Sequence, residues 1–374
     1  MIKNFIIVLL NIIILLFLVI FIETSSYLAR KLIGKVDIGW IYRYDSKTTI
    51  LEEQPCVRME THPVFSHVPD HRGQCNILGG YAEGPFVRYS KTDKDAIVTL
   101  GGSTTSGFYQ HYAKGKTWPY LLNEMLINED YDYQIINGGH GGYSSTQELL
   151  QLLLNVRRLD HNIKIVISLN GINDLYLQKR GNFFLEPRVN EMYERQFWID
   201  QSSTPKFLPN ILSLVRFFAP KSKTDVDMGI REKNRLNKFK KLSAVEIWEL
   251  NVKSMNSISK SMGIEYFLFL QPTMGLEGVQ SVMPKDPNSN DAVMLKTVLE
   301  DNGGFKEGYQ AGYRDHLNKV YRQFIKKCNE MDFCIDLTSI APPNGKNYNN
   351  PRHHNENGNQ LIAEEILRLL KKNF

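Results

Sequence analysis

The sequence predicts an α/β protein with a mostly parallel central sheet covered on both faces, a three-layer sandwich. Three observations predict it. Short, β-branched apolar runs recur from residue 96 onward. Amphipathic stretches of helical period separate them. Polar, glycine-bearing segments follow the apolar runs directly. Runs that are apolar without alternation suit strands buried on both faces, and parallel strands need a crossover of helix length between them.

The first strand is AIVTL (96–100), followed by a helix from about Thr117 to Asn128. The second is YQIIN (133–137), and a helix over Ser145 to Arg158 sets Leu149, Leu150, Leu153 and Leu154 on one face. The third apolar run is KIVISL (164–169). A long helix, VEIWELNVKSMNSISKSMG (245–263), ends on Gly263, the residue type that C-caps prefer. EYFLFL (265–270) and FCIDL (333–337) supply two more strands, separated by a helix around His316 to Asn329. The last helix runs from about Asn359 to Lys371.

Residues 95–374 therefore form the main domain, with insertions at 180–243 and 272–310 that exceed ordinary loop length. The first insertion carries a Lys- and Arg-rich stretch, 221–241, read as a solvated surface or one that meets anionic lipid or an acidic polymer. The second could cover a cleft. Residues 36–94 read as a strand-poor lead-in that wraps the domain.

The N-terminus adds one feature. Phe5 to Ile22 is eighteen residues interrupted only by Asn11, near the lower limit for a helix that crosses the bilayer. It is long for a cleaved signal peptide, and no A-x-A-like site follows. Residues 1–35 are expected to be a single-pass anchor and short stalk, with the lipid bilayer as partner. Lys3 precedes the span while Arg30, Lys31 and Lys35 follow it, which does not favour export of the body. Cys56 with Cys75 and Cys328 with Cys334 form two local pairs that suit an oxidising compartment. The expectation is an extracytoplasmic domain, in the periplasm or at the cell surface. The formal charge of +5 over 374 residues, without any zinc-finger or RNA-binding motif, does not make nucleic acid a partner.

In open α/β sheets, ligands bind outside the carboxyl ends of the strands. The segments at that edge are GGSTTSG (101–107), NGGHGGYSS (137–145), NGIND (170–174) and, one loop beyond the last strand, NNPRHHNENG (349–358). The first is not a P-loop, because Phe108 and Tyr109 stand where the phosphate-binding lysine would follow Gly107. It matches neither G-x-G-x-x-G nor the G-x-S-x-G elbow. Ser103 alone reads equally well as a helix cap.

In order and spacing, the four segments resemble the conserved blocks of the SGNH (GDSL-like) hydrolase superfamily, over roughly residues 93 to 372. The resemblance implies a flavodoxin-like sandwich and ester hydrolysis without metal or cofactor. It makes Ser103 of Gly101-Gly102-Ser103 the nucleophile and His353 the base. The oxyanion donors it implies are Ser103 N–H, Gly142 N–H and the Asn173 amide of Gly171-Ile172-Asn173-Asp174. His353, Asn355 and Gly358 match the last block, but Asn350 stands where the family has aspartate. Three accounts of that departure compete. Asn350 orients the ring through its carbonyl, a backbone carbonyl holds a Ser-His dyad, or the site is degraded. A distant carboxylate from 272–310 is a further source of the acid. Asp174 is read as pinning the Asn173 loop, His354 as the lesser candidate base, and His140 as pocket-lining or partly exposed. The implied activity is removal of acetyl or other acyl groups from a carbohydrate. The alternatives are an O-acyltransferase using the same residues on a surface glycan, and a non-catalytic glycan-binding subunit.

Overall fold

The computed structural model describes residues 59–62, 66–69, 81–83, 86–90, 92–106, 116–175, 242–279, 288–300, 313–342 and 346–372, with 281, 285, 286 and most of 10–25. Seven strands form the main sheet. β3 (Tyr81–Glu83) and β4 (Phe86–Arg88) lie at one edge, then β6 (Tyr133–Asn137), β5 (Asp95–Gly101), β7 (Ile163–Asn170), β8 (Glu265–Leu270) and β9 (Cys334–Asp336). From β6 to β9 all pairings are parallel, while β3–β4 and β4–β6 are antiparallel. The five parallel strands thus run in the flavodoxin-like order 2-1-3-4-5, whose crossovers diverge between β5 and β7.

Successive side chains on a strand face opposite layers. Ile97, Ile165, Ile167, Leu169 and Phe269 pack into a cluster with Trp118, Leu122 and Leu126 of α2 (Trp118–Asn128) and Ile362, Ile366 and Leu370 of α7 (Glu356–Leu370). Val98, Leu100, Val166, Leu268 and Leu270 pack on the other side, against Leu152 of α3 (Ser145–Leu154), Trp248 and Val252 of α4 (Ala244–Ser261), and Leu317 and Phe324 of α6 (Tyr313–Cys328). That is the expected three-layer α/β sandwich. The helix starts follow their caps. Thr117 Oγ1 accepts from Tyr120 N at 3.3 Å, and Ser243 and Glu246 form a capping box. α4 stops at Gly263, whose φ of +71° is left-handed.

Several boundaries differ from the expectations. The helix from Ser145 ends at Leu154, and Val156–Arg158 form a separate 3₁₀ turn. The last helix begins at Glu356, because Asn355 caps it by accepting from Gly358 N. The lead-in over 36–94 is not strand-poor: β1 (Met59–His62) and β2 (Ser66–Pro69) form a hairpin, and β3–β4 extend the sheet. These strands are too short, at three or four residues, to show a period. The 272–310 insertion contains α5 (Asn290–Glu300). Cys328 and Cys334 are joined by a disulfide that ties the end of α6 to β9. Cys56 and Cys75 lie outside the described residues, as does nearly all of 180–243.

By its contacts the chain divides into two compact units, residues 1–48 with 195–240, and 49–194 with 241–374. In the first, described residues between 10 and 25 are helical, and Leu15, Phe17, Ile20 and Phe21 are exposed. Among the described residues no helix is long and apolar enough to cross a membrane. The remainder of the span expected over Phe5–Ile22 lies outside them.

Candidate active site

The site forms at the carboxyl edge of the sheet where the crossovers diverge. β5 ends in Gly101, and the chain turns through Gly102 into the short helix α1 (Ser103–Ser106), placing Ser103 directly above the sheet. The loop after β6 is shaped by Asn137. Its Oδ1 accepts from Gly139 N at 2.9 Å, and its Nδ2 donates to Thr105 O at 2.8 Å, fastening the loop to α1. The loop then reaches Gly142, whose φ of +81° favours glycine.

His353 arrives from far along the chain. It lies on the small hairpin of β10 (Tyr348–Asn350) and β11 (His353–His354). The segment after β8 grips the turn of this hairpin. Met274 N and Thr273 Oγ1 donate to Pro351 O at 3.0 and 3.1 Å, and Gln271 Nε2 donates to Arg352 O at 2.9 Å. Tyr321 OH in turn donates to Gln271 O at 2.6 Å.

Ser103 Oγ lies 2.6 Å from His353 Nε2, and His353 Nδ1 lies 2.8 Å from Asn350 Oδ1. Asn350 Oδ1 also accepts from Arg352 N at 3.1 Å and His353 N at 3.2 Å. Those two backbone donors settle the amide's orientation, since a nitrogen there would face two N–H groups. With oxygen toward the ring, Nδ1 carries the proton and donates it, and Nε2 is left to accept from Ser103. Burial, then the Arg352 charge, then His354, hold the His353 imidazole well below its ordinary value, so it is neutral at neutral pH.

Of the expected oxyanion donors, the Asn173 amide packs against the turn that carries Ser103. Among the described residues, neither Ser103 N–H nor Gly142 N–H has a hydrogen-bond partner. Asn173 Nδ2 donates one of its two hydrogens to Tyr143 O at 2.8 Å. A Cβ built on Gly102 would lie 2.2 Å from Asn173 Nδ2, so only glycine lets this amide sit against the turn that carries Ser103.

Beneath the site lies a buried polar network. Asp174 Oδ1 accepts from Ser145 Oγ at 2.5 Å, and Asp174 Oδ2 accepts from Ser145 N at 3.1 Å, which joins the Asn173 turn to the start of α3. Asn251 Nδ2 donates to Ser145 Oγ and Thr146 Oγ1. Asn170 bridges Trp248 and Glu148: its Oδ1 accepts from the indole and its Nδ2 donates to the carboxyl. Burial pushes Glu148 up to about 8, aided by the Asp174 charge, and burial pushes Asp174 up to about 6.

Among the described residues, His353 is the histidine hydrogen-bonded to the Ser103 hydroxyl. His354 is fully buried, packs its ring 4.6 Å from that of Tyr348, and is pushed down to about 3 by burial. His140 is buried, not partly exposed. Its ring meets Tyr143 edge-on at 4.6 Å, and its backbone N–H donates to Gly101 O. Sequence reasoning missed Gln271 and Thr273. Their signal was position, in a Gln-Pro-Thr segment at the carboxyl edge directly after β8.

No protein-family model and no curated protein matches the chain. Solved structures that it resembles include a GDSL-like lipase from Bacteroides thetaiotaomicron, 12% identical, with a TM-score of 0.37 over 75% of this chain and 89% of that one. An acetyl xylan esterase is 13% identical, with a TM-score of 0.38 over 73% of this chain and 98% of that one. The psychrotrophic esterase EstA of a Pseudoalteromonas species is 15% identical, with a TM-score of 0.36 over 74% and 97%. These likenesses are loose.

Proposed function

We propose that this protein is a serine ester hydrolase in which Ser103 is the nucleophile, His353 the general base, and Asn350 the group that orients it. The observation that carries this reading is the aligned Ser103–His353–Asn350 series, with N–H groups on Ser103 and Gly142 that have no hydrogen-bond partner among the described residues. His353 Nε2 takes the Ser103 proton as Oγ attacks the ester carbonyl. The carbonyl oxygen gains negative charge, which Ser103 N–H, Gly142 N–H and the Asn173 amide stabilise. Collapse expels the alcohol, which takes the proton from His353, and leaves an acyl group on Ser103. Water then attacks by the same route in reverse, returning the acid and free Ser103.

The finer reading is a membrane-anchored enzyme that removes acetyl or similar groups from a carbohydrate outside the cytoplasm. It is supported by the apolar N-terminal run, by the resemblance of the four loop segments, and by the Cys328–Cys334 disulfide, a bond that persists in oxidising compartments.

The test is turnover of 4-nitrophenyl acetate by the full chain in detergent. Ser103→Ala and His353→Ala are each expected to abolish it, and turnover that survives Ser103→Ala refutes the assignment. For topology, a C-terminal phosphatase fusion active only after export is expected, and a silent fusion counts against the outward body.

A further inference from the structure

We propose that Gln271 and Thr273 are positioning residues of this reaction: they clamp the turn that carries His353 and hold the base within reach of the Ser103 hydroxyl. This rests on the reading of Ser103 and His353 given above.

Three observations carry it. First, the base sits on an element too small to fix its own place. Among the described residues, β10 and β11 form a sheet of their own, with strands of three and two residues. A two-stranded hairpin is marginal without support. Second, the residues directly after β8 supply that support. Pro351 O accepts from Met274 N at 3.0 Å and from Thr273 Oγ1 at 3.1 Å, and Arg352 O accepts from Gln271 Nε2 at 2.9 Å. Pro351 and Arg352 are the turn between β10 and His353, and both clamping side chains are buried. Third, the clamp is tied to the sheet and to the turn that leads to Asn173. Gln271 N donates to Asn170 O at 3.0 Å, at the end of β7, and Gln271 O accepts from Tyr321 OH at 2.6 Å. The Tyr321 hydroxyl lies against Gly171, where an added Cβ would meet it at 3.0 Å.

Ser103 and His353 are 250 positions apart in the chain, so their 2.6 Å contact is set by whatever fixes the two loops. Gln271 and Thr273 act through the carbonyls of Pro351 and Arg352, and so on the place of the ring rather than on its chemistry. Proton transfer needs the base within hydrogen-bond reach of the hydroxyl. A misplacement of about 1 Å costs about 10² in rate. The groups that bind the ester are untouched by the clamp, so the loss falls on kcat rather than KM. Removing a donor from a buried carbonyl also weakens the fold, so the test separates rate from stability.

The experiment uses the full-length protein in detergent, at a temperature where circular dichroism shows each variant folded. It follows turnover of 4-nitrophenyl acetate and labelling of Ser103 by a serine-directed alkyl phosphonate. Gln271→Met and Thr273→Val each replace the donor by an apolar group of similar size. Each is expected to lower kcat and the labelling rate by about 10² with KM little changed. Thr273→Ser keeps the hydroxyl and is expected to stay near the wild type. In a His353→Ala background, Gln271→Met and Thr273→Val are expected to change the slow labelling by less than about twofold, because a residue that acts through the base has nothing left to position. An unchanged kcat in either variant, or an equal loss in the His353→Ala background, overturns the proposal while leaving the hydrolase reading intact. If one variant does not fold, the other decides. A wild type that neither turns over the acetate nor takes label on Ser103 refutes the hydrolase reading first, and the proposal with it.

Discussion

Asn350 Oδ1 and His353 Nδ1 lie 2.8 Å apart, with the amide's oxygen fixed toward the ring by the backbone N–H groups of Arg352 and His353. An asparagine in place of an acid is costly when its NH₂ faces the imidazole and enforces the wrong tautomer. Here the orientation is the productive one. The missing carboxylate therefore costs charge stabilisation of the imidazolium, and the tautomer is kept.

Asn350→Asp restores that charge. A carboxylate favours the protonated ring, so the acid limb of kcat/KM moves to higher pH than in the wild type, whose depressed His353 keeps the base neutral below pH 6.5. Turnover at neutral pH and above is expected to rise. Asn350→Leu loses the orienting acceptor, and kcat is expected to fall by about 10² to 10⁴ across the profile. A pH–rate profile of the three proteins decides it, and an unmoved acid limb in Asn350→Asp contradicts the account.

Asn173→Ala removes the side-chain oxyanion donor and leaves the backbone donors in place. Its kcat is expected to fall by about 10² to 10³ with KM little changed. Steady-state kinetics on a soluble acetate ester measures the split, and a loss confined to KM assigns Asn173 to ground-state binding.

Glu148 governs stability rather than rate. Its folded value of about 8 lies above its unfolded 4.5, so the native state holds a proton that the unfolded chain releases. That contribution is complete below pH 4.5 and is lost as pH rises towards 8. Glu148→Gln keeps the neutral shape and is expected to flatten the fall in Tm between pH 5 and 8. Calorimetry at several pH values checks this, and parallel Tm curves for the two proteins contradict it.

The disulfide closes a short loop between Cys328 and Cys334. Cys334→Ser is expected to destabilise the domain by about 2 kcal/mol, the loop-closure entropy for a separation of six residues. Denaturant unfolding measures it. Equal stability of the variant and the oxidised wild type refutes the contribution.

The parallel strands were legible because AIVTL, YQIIN, KIVISL and EYFLFL are covered on both faces over most of their length, and such strands read as near-continuous apolar runs. Each strand end then named a candidate segment, and of these residues Ser103 meets His353 at 2.6 Å while Asn173 packs against Gly102. What was hidden depended on pairing. β3 and β4 are strands only because β6 offers them an edge, and three residues carry no period of their own. The grip of Gln271 and Thr273 on Pro351 and Arg352 joins residues about eighty positions apart, which no local pattern records. The orientation of the Asn350 amide is likewise set by the hairpin turn, and the sequence names only the residue.

The most direct test of the central claim is covalent labelling of the full-length protein by a serine-directed alkyl phosphonate, read by peptide mapping. The account predicts one equivalent of label on Ser103, with slow labelling in His353→Ala and none in Ser103→Ala. Label on another residue, or an unlabelled protein that still hydrolyses acetate esters, would contradict it.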